Sequence, residues 1–451
     1  MKTTRRQFLE RSVQGGLGAT WAASRLASAS KSAAASDKVV IGIVGLGGRG
    51  NFLARLFGAR PDVDIAYACD VHPARLERGM RTIEKATGKK AKPVDDFRRV
   101  LDDREVDAVV VATPHHWHAL ATILACQAGK DVYVEKPASH NYWEGPQMVE
   151  AARKYKRVVQ VGMQNRSSSY GKSAREYVES GKLGDISLVR VYNMFPRRKF
   201  ERASEGSSPA SVKWDIWLGP APERAYSETW FRDWLYFWDF SGGLLCDDAV
   251  HQLDLTRMVI GKGLPRSVHH AGGNLAFKDG VEPPDTSIVS CQYDNMTLMI
   301  EQTWWAPYMQ KTPESIRQSD TLYAEWYPFD GTKVEIYGIN GLMLLERQGG
   351  GWQAFDRDGQ KVAQDKQTHA KMQAAHAENF VNCIRSRQRP NADIEEGHIS
   401  AAICHIANIS YRLGNRKLEF DSNTGTFVND PEADRQLKRS YRSPWVVPER
   451  V

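Results

Sequence analysis

Val39-Val40-Ile41-Gly42-Ile43-Val44-Gly45-Leu46-Gly47-Gly48-Arg49-Gly50 is the stretch on which the fold turns. An unbroken apolar run suits a strand buried on both faces, as in a parallel sheet. The glycines follow without a gap, and Phe52 to Phe57 then carries a helical pattern. A bare G-x-G-x-x-G is weak, but strand, glycine loop and helix in that order point to a dinucleotide-binding unit. Gly45 permits the tight turn, Gly47 lets backbone approach a pyrophosphate, and Gly50 lets helix pack on strand. Gly48 and Arg49 complete the loop, and the helix N-terminus offers free N–H groups to phosphates.

Working outward, the run Val63 to Ala68 ends in Cys69-Asp70. Asp70 is placed to accept from an adenosine ribose hydroxyl, which favours NAD; Arg75 would instead hold a 2′-phosphate, leaving NADP as the alternative. Val106 to Ala112 predicts another buried strand, entering Thr113-Pro114-His115-His116-Trp117-His118. This turn is expected to line the nicotinamide end, with Thr113, Pro114 and His118 as contacts. Its histidines have no carboxylate or thiolate at a recognised spacing, so no metal is expected. Val132 to Val134 is the next strand and ends in Glu135-Lys136-Pro137. Proline stops a strand, which leaves the charged pair at the sheet edge where parallel sheets hold ligands. A helix over Tyr142–Lys156 and a strand over Val158–Val161 complete a doubly wound parallel sheet for residues 37–160.

Residues 161–420 read as a second α/β domain. Asn165-Arg166 forms an exposed turn placed to contact substrate. Ser287–Tyr293 with Thr297–Thr303, and Val334–Gly338 with Leu342–Glu346, alternate apolar and polar residues around turn signals. They predict hairpins in a large, mostly antiparallel open sheet. Trp214 to Phe240 is dense in aromatics, and one or two of its tryptophans are expected to stack on sugar rings. Gly242-Gly243 opens a helix on which Asp247, His251 and Asp254 share a face by i, i+4, i+7 spacing. Helices near His376–Ile384 and Ile399–Leu413 read as scaffold. The polar tail, 421–451, is expected to wrap a neighbouring subunit.

The 451 residues, 41% hydrophobic and 25% charged with net charge +7, describe a globular chain of two domains. The basic residues form no run with interleaved aromatics, so no nucleic acid is expected. No apolar stretch reaches membrane-spanning length, about 18 residues. Six cysteines show no metal spacing and read as buried thiols. Thr4-Arg5-Arg6-Gln7-Phe8-Leu9, a weakly apolar stretch and Ala27-Ser28-Ala29 resemble a twin-arginine export signal over residues 1–36. Export to the periplasm or cell envelope by the twin-arginine machinery is therefore expected.

The glycine loop, Asp70, Thr113-Pro114 and Glu135-Lys136-Pro137 together resemble the Gfo/Idh/MocA oxidoreductases. The resemblance covers most of the chain after the signal. It implies a Rossmann domain followed by an open-sheet domain, a homo-oligomer (dimer or tetramer), and Lys136 beside nicotinamide and substrate. Gly242 to Asp254 is similar to the family's G-G-x-L-x-D-x-G-x-H-x-x-D motif, with Ala249 in place of its third glycine. Matching makes Asp247 and His251 active-site residues. The implied activity is oxidation of a sugar, polyol or glycoside hydroxyl. His251 serves as base, Lys136 as donor to the developing oxyanion, and Glu135 orients Lys136 or the cofactor. Export without a free NAD pool implies a tightly bound cofactor recycled in place. A redox-neutral glycosidase or lyase is the alternative, and a non-enzymatic sugar-binding protein ranks last.

Overall fold

The computed structural model describes residues 38–323 and 329–451; the expected export signal lies outside the described residues. The first sheet contains β1 (Val39–Val44), β2 (Val63–Cys69), β3 (Lys92–Val94), β4 (Ala108–Val111), β5 (Asp131–Val134) and β6 (Val159–Val161). All its pairs are parallel, in the order β3-β2-β1-β4-β5-β6. The order reverses between β1 and β4, which opens a crevice at the strands' C-terminal ends. Helices α1 (Gly48–Gly58), α2 (Pro73–Thr87), α3 (His118–Gln127) and α4 (Glu144–Lys154) cover it. Successive strand side chains point to opposite faces. Ile41, Ile43, Val110 and Tyr133 pack toward Leu53 and Phe57, while Val109, Val111, Val132 and Val134 join Ile123 and Met148.

After α5 (Ser169–Glu179) comes a ten-stranded sheet. Its strands are β7 (Ile186–Met194), β8 (Ser267–Gly273), β9 (Thr286–Gln292), β10 (Thr297–Thr303), β11 (Lys333–Gly338), β12 (Gly341–Glu346), β13 (Gly351–Asp356), β14 (Lys361–Asp365), β15 (Leu418–Asp421) and β16 (Thr426–Phe427). The order is β14-β13-β12-β11-β7-β10-β9-β8-β15-β16, antiparallel except for β7 with β10. Both expected hairpins are present, as β9–β10 and β11–β12. Helix α6 (Val250–Ile260) lies against this sheet. Helices α7 (His369–Ser386) and α8 (Ile394–Arg412) return to the first one. Phe380 of α7 meets Phe57 at 6.1 Å and Tyr133 at 5.8 Å, ring to ring. The first core is thus closed by residues more than half the chain away.

The tail packs on its own chain. Trp445, Val447 and Val451 are buried. Trp445 lies edge-on to Trp117 at 5.2 Å, and the Arg98 guanidinium lies over the Trp445 ring at 4.7 Å. Arg442 Nε donates to the Gly219 carbonyl at 3.1 Å. The charge count hid a few apolar anchors, and burying these is what fixes the tail.

Candidate active site

The glycine loop divides into two kinds of position. Gly45 has φ +87°, and a Cβ there would lie 2.6 Å from the Ala112 carbonyl oxygen. A Cβ on Gly50 would lie 1.8 Å from the Gly45 carbonyl oxygen. Both glycines are demanded by the chain itself. Gly47 and Gly48 are different: nothing lies within 4 Å of a Cβ at either. They face an open cleft of about 440 Å³ at the start of α1. Thr113 Oγ1, buried on the same wall, has no partner among the described residues. A bare backbone cradle, a helix N-terminus and an orphaned hydroxyl fit a dinucleotide.

One end of the cleft is built around Asp70. Its Oδ2 accepts from the Leu46 amide at 2.7 Å and its Oδ1 from the His72 amide at 2.9 Å. The carboxylate therefore ties β2 to the glycine loop while still lining the cleft. Burial raises its pKa above the ordinary value against those two bonds. His72, not Asp70, caps α2, with Nδ1 accepting from the Ala74 amide at 3.2 Å. Arg75 lies over the Phe231 ring at 4.4 Å, and Arg78, one helical turn on, lines the same wall. Arg78 was legible as the i+3 neighbour of Arg75.

The other end is built around Asp247. Lys136 Nζ donates to Asp247 Oδ1 at 2.7 Å and also to the Asp247 carbonyl. His115 Nε2 reaches the same Oδ1 at 3.3 Å. Burial pushes the Asp247 carboxyl up, but Lys136 and His115 together hold it well below the usual carboxylate range. Burial pulls His115 down to about 3 despite Asp247, so it is a neutral donor at pH 7. Glu135 does not reach the Lys136 ammonium. Its Oε1 accepts from Arg49 Nε at 2.6 Å, and its Oε2 from the Lys136 backbone amide at 3.3 Å.

Asp247 and His251 do not share a simple helix face. Leu245–Ala249 is a single π-turn, and only from Val250 does the chain wind as α-helix. Such turns shift the register of what precedes them. Ala249 has φ −60°, so the motif's glycine is not required here. His251 is buried and does not line the cleft, and its Nδ1 has no partner among the described residues. Burial first, then the charges of Lys136 and Arg347, hold its imidazole well below the usual value. Asp254 is consumed structurally, accepting from Arg166 Nε at 2.8 Å and from Ser400 Oγ at 2.7 Å.

Several expected contacts are relocated. Arg166 is buried in that ion pair and does not line the cleft. Asn165 is also buried; its Oδ1 accepts from the Gln348 amide at 2.8 Å and from the Tyr170 hydroxyl at 3.0 Å. Neither forms an exposed turn, because α6 and α7 pack against Gln164–Ser167. His118 is buried with Nδ1 2.7 Å from the Pro137 carbonyl and Nε2 2.9 Å from the Thr113 carbonyl. It braces the two loops, and His115 faces the cleft instead. Most aromatics of 214–240 form a core around Trp217, Trp230 and Phe240. Trp217, Phe231 and Trp234 also form a wall of the cleft, with Trp234 edge-on to His115 at 4.7 Å. That loop covers the cofactor cleft, a placement with no signal in its local sequence.

A Rossmann cleft ending in a Lys–Asp pair defines a nicotinamide-dependent oxidoreductase. The comparisons agree. Residues 39–163 match the model for the oxidoreductase family's NAD-binding Rossmann fold, and residues 194–272 and 345–447 match its C-terminal alpha/beta domain. The chain belongs to the Gfo/Idh/MocA oxidoreductase family. It is 25% identical over 377 residues to a myo-inositol 2-dehydrogenase of Thermotoga maritima, covering 82% of this chain and 95% of that one. It is 34% identical over 167 residues to a glycosyl hydrolase family 109 protein of Solibacter usitatus, covering 34% of this chain and 38% of that one. A levoglucosan dehydrogenase, solved with NADH and levoglucosan, shares the fold with TM-score 0.62 at 17% identity, over 85% of this chain and 99% of that one.

Proposed function

We propose that this protein oxidises a hydroxyl of a sugar, polyol or glycoside, using NAD that stays bound and is regenerated in place. The observation that carries the reading is Lys136 Nζ at 2.7 Å from Asp247 Oδ1 at the nicotinamide end of the cleft. The names of the myo-inositol and levoglucosan relatives support the substrate class. When bound, NAD supplies a hydride acceptor. The residues do the rest. Neutral His251, whose buried Nδ1 has no partner among the described residues, takes the hydroxyl proton. Lys136 donates to the oxygen as it becomes a carbonyl. Asp247 holds the ammonium in place, and His115 holds Asp247. Asp70 takes the adenosine ribose, and Gly47 and Gly48 the pyrophosphate. The twin-arginine-like segment supports export to the periplasm, where no free NAD pool would replenish a dissociable cofactor. A homo-oligomer, dimer or tetramer, is part of the same reading.

A redox-neutral glycosidase is the second reading, favoured by the 34% identity to the family 109 protein in one stretch. One experiment separates the two. The purified protein is examined for nicotinamide by mass spectrometry and absorbance, then given sugars and aryl glycosides without added cofactor. Bound nicotinamide with sugar oxidation coupled to reduction of a second sugar supports the first reading. Aglycone release without net redox change selects the second. Cofactor-free protein that turns over only with added NAD overturns the retained-cofactor proposal.

A further inference from the structure

A second cavity, of about 310 Å³, lies apart from the cofactor cleft and shares none of its lining residues. Four separate pieces of chain meet around it: the turn at His140, the aromatic loop at Trp238 and Asp239, the end of α8 at Arg412, and the tail at Lys438 and Arg439. Its charge is lopsided. The one carboxylate among these residues, Asp239, is already occupied by Arg224, whose Nε donates to it at 2.6 Å. Arg439 donates to neutral acceptors: the Asp239 carbonyl at 2.9 Å and the Pro220 carbonyl at 3.2 Å. It also lies 3.2 Å from the His140 ring. The Arg412 guanidinium lies 5.8 Å from the Trp238 ring and makes no hydrogen bond among the described residues. Among the described residues neither guanidinium has a carboxylate within ion-pair distance. Burial lowers the pKa of both, outweighing the pull of Glu282 and Asp239 on Arg412 and of Glu144 and Asp239 on Arg439. A guanidinium is a planar fork matched to carboxylate and phosphate oxygens; Arg439 is half-buried on the cavity wall, Arg412 is exposed at its rim, and neither has such a partner within ion-pair distance among the described residues.

We infer that this cavity is a second binding site, for a small oxyanion-bearing ligand of the sugar-acid or phosphate type, held by Arg412 and Arg439. Neither the site nor its ligand class belongs to the dehydrogenase chemistry above. The rear wall connects it to the cleft. Asn408 Nδ2 donates to the Gly242 carbonyl at 2.9 Å, and Gly242 leaves no room for a Cβ against the Cys246 sulfur, one residue before Asp247. A ligand here would bear on the segment that aims Asp247.

The test is calorimetric titration of the NAD-saturated protein, so that the pyrophosphate cradle is filled. Inorganic phosphate, glucuronate and neutral glucose serve as probes. Phosphate or glucuronate binds, glucose does not, and whichever anion binds identifies the source. Arg412→Gln weakens the anion by about tenfold or more, the loss of one charge-assisted hydrogen bond. Arg412→Lys retains part of the affinity. Because Arg412 makes no hydrogen bond among the described residues, both variants keep the parent circular dichroism spectrum. Absence of binding by either anion, or an Arg412→Gln protein that binds them like the parent, overturns the inference.

Discussion

Lys136 and His115 converge on one oxygen of Asp247, and each has a separable role. Lys136 is the only one of the three whose charge can follow a developing oxyanion. Lys136→Met should therefore lower kcat by about 10²- to 10⁴-fold, the range for a lost positioned donor or acid, with the fold retained. Following the reduced-nicotinamide absorbance in a single turnover checks this, and a variant with parental turnover would remove Lys136 from the mechanism. Arg166 makes the opposite case. Its guanidinium and the Asp254 carboxylate are both buried, so Arg166→Ala strands a buried anion. It should cost about 3–5 kcal/mol of stability, read from urea unfolding. Unchanged unfolding with a raised KM would instead restore Arg166 as a substrate contact. The sequence could show both arginine and aspartate, but not that they meet across 88 residues.

The glycine loop and the π-turn are the two elements that aim the chemistry. Gly47 and Gly50 sit three residues apart, yet they should respond differently to the same methyl group. Gly50→Ala forces helix α1 away from the Gly45 carbonyl and should destabilise the protein by roughly 2–4 kcal/mol. Gly47→Ala meets no atom of the chain, at φ −66° that any residue adopts. It should leave the thermal midpoint of the cofactor-free protein unchanged while weakening NAD about tenfold or more. Paired calorimetry of unfolding and of NAD binding checks both. A Gly47→Ala protein with parental NAD affinity would mean that the cofactor does not approach that backbone. The π-turn at Leu245–Ala249 carries the second lesson. Local periodicity predicted one helix face for Asp247, His251 and Asp254, and a single wide turn separated the first from the others.

Across the whole molecule, burial of neutral histidines sets an acid limit. Burial lowers His115, His116, His376 and His398 to about 3, and His270 to about 4. The unfolded chain protonates these side chains near pH 6.5. Between the two values the unfolded state binds more protons, so stability is fully present above about pH 6.5 and is lost as pH falls below it. Each such histidine contributes a loss on the order of 2 kcal/mol by pH 5. The depressed Asp247 acts in the same direction at lower pH, its contribution lost as pH falls below the ordinary carboxylate value. Urea midpoints should drop steeply from pH 7 to pH 5, and His398→Asn should flatten the slope. A pH-independent midpoint over that range would contradict the neutral burial of these rings. Such a limit is a property of packing between domains, since His376 of α7 donates from Nε2 to the Val161 carbonyl of the first sheet.

By itself, the sequence determined what depends on neighbours along the chain. The strand–glycine–helix unit, Asp70 at the end of β2, Glu135-Lys136 before a proline and both hairpins are local patterns, because backbone sterics and side-chain period act over a few residues. Tertiary structure decided what depends on contacts between residues far apart in the chain. It made His115 rather than His118 the cleft histidine, turned Asn165 and Arg166 inward, laid the aromatic loop over the cofactor cleft, and folded the tail onto its own chain. Each of these follows from which apolar and charged surfaces remain to be covered once both sheets exist, and that quantity has no period in the sequence.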